Sequence, residues 1–453
     1  MEVSAKGMAA DVALLQAPIP RLFWRYVVPT ITAMLATGVY VTIDGMFIGH
    51  YLGGDGLAGI TLAYPLGAVL YALGTLIGMG GAAWVSLLLG QGNVSQARQV
   101  VGNSFTLAIL GGSLFSAAGV LCSKPLLGLL GAEGAVLHAA SDYLFWYFAL
   151  GMLPVLATTF TVMLRNDGRP GRVTLILIFG GILNTFLDWL FIVVFPFGLA
   201  GAAIATMLSH GVTAMLCLQH FFSSATRLRL NWQQMQLKWC HVHRIGQMGL
   251  SSMLMSLYLS VVLTLYNVAL LWQGNNLHLA AYGVIGYTEA MFYFIFEGIA
   301  LGTQPILSFN TGARQIQRVR QAAKLAFGVT LVTALVGWLL IYGRPQWMLW
   351  LFAGDNPSLA PVAIQGMYLY FWGLPLEGII LVGASLLQAT NHPKDAAILT
   401  GAKIFLVAIL LWVLGAWLGV TGVWLSLPCC SVLLCGWLWR TLARINHAHK
   451  HII

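Results

Sequence analysis

Charge is scarce in this chain. Asp, Glu, Lys and Arg make up 8% of its 453 residues, against about 25% in a soluble domain. An ordinary water-soluble fold is excluded. Phosphate-cradling motifs are missing as well: no GxxxxGK[ST] occurs, so no P-loop holds ATP. The six cysteines (Cys122, Cys217, Cys240, Cys429, Cys430, Cys435) form no CxxC pair and no disulfide framework. They read as small packing residues. No HExxH and no nucleophile with a base supports an intramembrane enzyme. The stretch to Pro20 lacks a continuous apolar h-region, so no signal peptide is expected.

What fills the chain instead is apolar residue, at 59% with a mean hydropathy of +0.84. Runs of about 20 apolar residues read as transmembrane helices. Twelve are expected, at 23–50, 57–89, 100–121, 136–164, 171–195, 198–222, 244–272, 279–310, 320–351, 360–388, 395–417 and 420–443. The second, eighth and tenth exceed the bilayer and should tilt or protrude. The formal charge of +9 invites a nucleic-acid reading, but its distribution argues against one. With the even-numbered loops and both termini on one side, only Lys124 and Arg344 fall opposite, and Lys403 lies within a span. That leaves 19 of the 22 basic residues on one face. The positive-inside rule makes that face cytoplasmic. A multi-pass inner (plasma) membrane protein follows, with the bilayer rather than nucleic acid as partner and both termini cytoplasmic.

The chain repeats itself. Leu57-Ala58 matches Leu279-Ala280 at an offset of 222, and Gly92 matches Gly312 at 220. Pro170, after Leu164-Arg165-Asn166-Asp167-Gly168-Arg169, matches Pro393, after Leu387-Gln388-Ala389-Thr390-Asn391-His392, at 223. Gly198-Leu199-Ala200-Gly201 matches Gly419-Val420-Thr421-Gly422 at 221. Matches in one order at nearly constant offset signal a duplication. The expected fold class is all-α integral membrane, with twelve transmembrane helices in two pseudo-symmetric six-helix bundles. The lobes are residues 1–222 and 248–453. Between them, 223–247 is expected to form a cytoplasmic amphipathic helix carrying Trp232, Met235, Leu237 and Trp239.

Against this background five acids stand out: Asp44, Asp188, Glu289, Glu297 and Glu377 all fall inside apolar runs. A carboxylate there costs roughly 2.5–3.5 kcal/mol on insertion scales, and such residues face a bundle interior or an aqueous path. At a rise of about 1.5 Å per residue, Asp44, Asp188 and Thr206 lie at similar depth. Asn184 is one turn from Asp188, and Tyr143 lies about seven residues into its span. Oxygen-bearing side chains together suit a hard cation. Glu297 and Glu377 are each 17 residues from a basic residue, Arg314 and Lys394, a depth that suits a substrate or second cation site between repeats. Glu289 belongs with them, and Lys403 is a candidate buried partner. His210, one turn from Thr206, is a candidate proton relay or a bonded core histidine. His447, His449 and His451 form a tail.

These residues carry a family resemblance over about 20–445. The chain resembles the multidrug and toxic compound extrusion (MATE) family, and within it the DinF-like and MepA-like branches. The carriers are Ile43-Asp44 with Gly49, Leu164 to Pro170, Asn184-Thr185-Phe186-Leu187-Asp188, Gly198 to Thr206, and Gly302-Thr303-Gln304-Pro305-Ile306 with Asn310-Thr311-Gly312-Ala313. The resemblance implies a cation-coupling site at Asp44, Tyr143, Asn184, Asp188 and Thr206. It also implies a conformational role for Pro29, which sits where that branch has a first-helix proline. NorM-type members carry a seventh-span glutamate; here 244–272 contains no acid. The expected function is H⁺- or Na⁺-coupled antiport, without a further cofactor. It would export organic, often cationic, amphipathic compounds by alternating access and act as a monomer. A lipid-linked oligosaccharide flippase of the wider superfamily is the alternative. It would need basic residues for a pyrophosphate, whereas buried charge in this sequence, apart from Lys403, is acidic.

Overall fold

The structure is a computed structural model. It describes residues 12–448, except 130, 224, 225, 355 and 356 and the side chains of 353, 447 and 448. The histidine tail from His447 lies outside the described side chains.

Among the described residues the fold is helical, with no strand. The chain runs α1 (Ile19–Phe47), a π segment (Ile48–Leu52), α2 (Gly53–Gly90), α3 (Val94–Leu129), α4 (Gly134–Ala149), α5 (Met152–Asn166) and α6 (Pro170–Asp188). A second π segment (Trp189–Val194) leads to α7 (Gly198–Phe222). The second half comprises α8 (Trp239–Gln273), α9 (Asn276–Gly312), α10 (Ile316–Gly343), α11 (Pro345–Ala353), α12 (Ala360–Tyr370), α13 (Leu374–Ala389), α14 (Pro393–Leu418) and α15 (Val420–Ala448).

Ile19–Gly90 forms an unbroken helical run of 72 residues, about 108 Å if straight and so too long for one crossing. Gly53, at φ 67° and ψ −157°, ends the π segment, and α1 and α2 both pack on α9. They are two crossings. The fourth crossing is bent by 56° between α4 and α5. The tenth is interrupted between α12 and α13 by a 3₁₀ turn at Phe371–Gly373. The sequence reading has both as continuous spans. Gly151 and Pro154, and Gly373 and Pro375, sit at the two breaks, where glycine and proline weaken the helical ladder.

The duplication is visible in turn chemistry. Left-handed residues recur at matching positions: Gly92 (φ 78°) and Arg314 (58°), Gly168 (81°) and Asn391 (69°), Gly198 (63°) and Gly419 (61°). The counterpart of Gly92 is thus Arg314 and not the Gly312 of the sequence reading; Gly312 corresponds to Gly90, two residues earlier. At the first two pairs each sits just past a helix, where positive φ closes the helix end. It recurs in packing as well. α1–α6, α2–α3, α2–α5 and α6–α7 in one half match α8–α14, α9–α10, α9–α13 and α14–α15 in the other. The halves meet mainly through α2 on α8 and α1 on α9, which are equivalent pairs.

Glycines let the halves meet backbone to backbone. A Cβ on Gly80 would collide with the Ile245 carbonyl oxygen, and one on Gly249 with that of Leu76. The same holds for Gly312 against Leu87 and Gly90 against Phe309. Such close approach is how small residues hold membrane helices together. All four lie in the half of the protein nearer the basic face. Toward the other face, a Cβ on Gly45, Gly283 or Gly286 would meet nothing within 4 Å.

The connection between the halves corrects the sequence reading. Among its described residues it is not an amphipathic helix: they hold one 3₁₀ turn, Trp232–Gln234, and α8 begins at Trp239. The reason is that α3 takes over the backbone bonding. Asn103 Nδ2 donates to the carbonyls of Gln234 (3.2 Å) and Gln236 (3.0 Å), and its Oδ1 accepts from Lys238 N–H (2.7 Å). Thr106 Oγ1 donates to the Met235 carbonyl at 2.6 Å.

Candidate functional site

Three polar regions are built into the helices. The first lies wholly within the first half. Asp188 is the last α-helical residue of α6, immediately before a π segment, and Asp44 lies four residues before the other π segment. π segments cluster at functional sites. Asp188 is fully buried, and neither carboxylate oxygen has a hydrogen-bond partner among the described residues. Asp44 Oδ1 and Asn184 Oδ1 are buried without partners too. Asn184 Nδ2 donates to Thr206 Oγ1 at 3.4 Å. Asp44 and Asp188 are close enough for their charges to interact, and both lie within electrostatic reach of buried Tyr143. Buried oxygens with no donor are costly, and Asp44, Asn184 and Asp188 together carry four such acceptors in this half.

Pro29 lies inside α1, which stays helical through it, and its carbonyl accepts from Thr174 Oγ1 of α6 at 2.7 Å. The proline is thereby fastened to the helix that carries Asp188.

The second region is in the other half. Lys403 Nζ (α14) pairs with Glu377 Oε2 (α13) at 2.5 Å and lies 3.9 Å from the ring centroid of Tyr258. Ser431 Oγ donates to the other Glu377 oxygen. Glu289 Oε2 accepts from Tyr370 OH at 2.5 Å. Tyr266 stacks on Tyr282 at 4.8 Å beside them. Glu289 and Glu377 line one small pocket here, with Glu377's charge already matched. The expectation of Lys403 as a buried partner meets its geometry in this pair.

Glu297 does not join them. It faces the third region, a central cavity lined from both halves by Tyr40, Tyr71, His210, Tyr293, Glu297 and Gln388 among others. Sequence depth put Glu297 and Glu377 together, but they project from different helices into different pockets. Arg165 also lines this cavity and is 2% exposed. The sequence reading counted it among the basic-face residues. It is instead the penultimate residue of α5 and turned inward. Beneath it a buried chain crosses between the halves: Ser86 Oγ to Asn166 Oδ1 (2.7 Å), Asn166 Nδ2 to Gln304 Oε1 (3.0 Å), and Gln304 Nε2 to Ser308 Oγ (3.3 Å). No sequence feature singled out Asn166, Gln304 or Gln388 for these contacts.

The MatE family model matches residues 29–190 and 248–414. The chain belongs to the MatE family. It is a multi-pass membrane transporter and not an enzyme. It is 26% identical over 435 residues to a FAD transporter of Shewanella oneidensis, covering 93% of this chain and 94% of that protein. It is 25% identical over 419 residues to the multidrug export protein MepA of Staphylococcus aureus, covering 91% of each. Its fold is that of an outward-facing multidrug resistance MATE transporter of the MOP superfamily (TM-score 0.89, 21% identity, 97% of this chain and 98% of the other). A MOP superfamily transporter from Pyrococcus furiosus, described as having a binding pocket of reversed polarity, matches equally in fold (TM-score 0.89, 22% identity, 96% and 98%).

Proposed function

We propose that this MatE transporter is an antiporter, driven by H⁺ or Na⁺, that exports organic amphipathic compounds, cationic ones among them. The observation that carries this reading is the cluster of four unsatisfied buried oxygens on Asp44, Asn184 and Asp188. Protons or sodium ions satisfy such oxygens, and a site bound differently in two conformations couples ion to substrate. The central cavity between the halves is the substrate compartment, with Glu297 for a cationic group and Tyr71 and Tyr293 for an aromatic body. The relatives' names, a multidrug exporter and a FAD transporter, support organic cargo.

The basic face is cytoplasmic, and the protein works as a monomer in the inner membrane. The glycine contacts then close the cytoplasmic side, so the conformation faces outward. The test is purified protein in liposomes loaded with a fluorescent organic cation, given a proton gradient and a sodium gradient separately. Gradient-dependent dye movement under one of them is expected. Equal movement with no gradient would show a passive pore and end the antiport reading.

A further inference from the structure

The first-half site collects buried acceptors that lack donors. The end of the central cavity nearest the basic face shows the reverse. Nε and Nη1 of Arg165 are buried and have no hydrogen-bond partner among the described residues. Across the interface, Gln388 is 1% exposed and also lines the cavity. Its Oε1 accepts from Ser252 Oγ at 2.9 Å, and its Nε2 has no partner among the described residues. Arg165 and Gln388 stand 223 residues apart, the offset that relates Pro170 to Pro393. They are therefore the same position in the two repeats, facing one cavity from opposite halves. Leaving a buried donor unsatisfied is costly, and more so for a charged one, and a guanidinium suits carboxylate and phosphate above all.

We propose that Arg165 and Gln388 form an oxyanion subsite in the central cavity, which selects cargo carrying a phosphate or carboxylate beside an aromatic body. Glu297 and His210 are the other titratable groups in this cavity besides tyrosines. Glu297 is within electrostatic reach of Arg165 but makes no ion pair with it. The cavity is bipolar: donors at the Arg165–Gln388 end, and a carboxylate from α9 to receive an amine or ring N–H. The inference rests on the central cavity being the substrate compartment, and it narrows the cargo class.

The experiment measures binding to the full chain in lipid nanodiscs, with no gradient, by fluorescence. FMN and FAD are compared with riboflavin, which shares the ring but lacks phosphate, and fluorescein with its methyl ester. At least about tenfold tighter binding of the member that carries the phosphate or carboxylate is expected in one pair or both, and the pair that shows it identifies phosphate or carboxylate. Arg165→Gln should erase that preference, weakening FMN and FAD by at least about tenfold more than riboflavin. Arg165→Lys should restore part of it. Gln388→Leu, which keeps the guanidinium in place, should reduce it. No preference in either pair, or equal loss of charged and uncharged ligands in Arg165→Gln with a normally folded Gln388→Leu that keeps full preference, overturns the subsite. Gradient-driven dye efflux with no oxyanion preference would sink this inference alone. A clear preference without gradient-driven efflux would sink the antiport reading alone.

Discussion

Asn166 Nδ2 donates to Gln304 Oε1 at 3.0 Å, and this bond joins the two halves of the transporter. Each side chain is bonded again, to Ser86 and to Ser308. The chain lies beside the glycine contacts, so it latches the same end of the interface. Gln304→Leu removes the crossing bond and should cost this closed arrangement about 1–3 kcal/mol. A factor of ten in an equilibrium corresponds to roughly 1.4 kcal/mol. A cysteine replacing Leu87, in a chain lacking the native six, should then react with a thiol reagent about ten times faster. Unchanged reactivity would mean that the glycine contacts alone hold the closure.

Asp188 should be indispensable to coupling. Asp188→Asn keeps the shape but removes the negative charge that the proposed coupling site needs to attract a cation. Gradient-driven efflux should fall at least about tenfold while the amount of folded protein in the membrane stays the same. Wild-type efflux by this variant would remove the first-half cluster from the mechanism.

The Lys403–Glu377 pair offers a stability test. Lys403→Met strands the Glu377 carboxylate among apolar side chains, and breaking a buried pair this way costs about 3–5 kcal/mol. Adding Glu377→Gln should recover most of that loss, because no unpaired charge is left. Thermal unfolding of the two single variants and the double variant in detergent gives the cycle. Additive losses would show that the two side chains do not act as a pair.

Orientation can be mapped directly. Cysteines placed near Gly53, Gly131 and Gly354 should react with an impermeant reagent added to intact cells. Those near Arg169, Arg229 and Arg314 should react only after the membrane is opened. Labelling near Arg229 from outside would invert the topology drawn from the basic residues.

Much of this arrangement was legible in the sequence. Apolar run length marked the crossings, since a helix in lipid must be long and uncharged. Offsets of 221–223 mark the repeat that reappears in the turns and in the helix pairs. Asn184 and Thr206 could be brought together because depth follows from helical rise. Depth alone cannot give azimuth, however, and so Glu297 and Glu377 were grouped although they face different pockets. In the sequence Arg165 reads as part of the basic face, because a charge one residue from a helix end looks like a solvated flank. Its matching position in the other half, Gln388, carries no charge to draw attention. The bonds of Asn103 to the linker span more than 130 residues, and no local pattern encodes them. The linker's aromatic and apolar residues suggested a surface helix; its carbonyls instead found their donors on α3.

The glycines at the α2–α8 and α2–α9 crossings bear on energy conservation in the membrane. A transporter driven as proposed must not short-circuit its ion gradient. Moving one elementary charge through a 100 mV potential releases about 2.3 kcal/mol, and a single file of water through a loosely closed gate would dissipate that continuously. Where Gly80 lies against the Ile245 carbonyl and Gly312 against that of Leu87, no side chain stands between the backbones to fluctuate and admit a water. Contact at these crossings is made of main chain, and its tightness does not depend on rotamers.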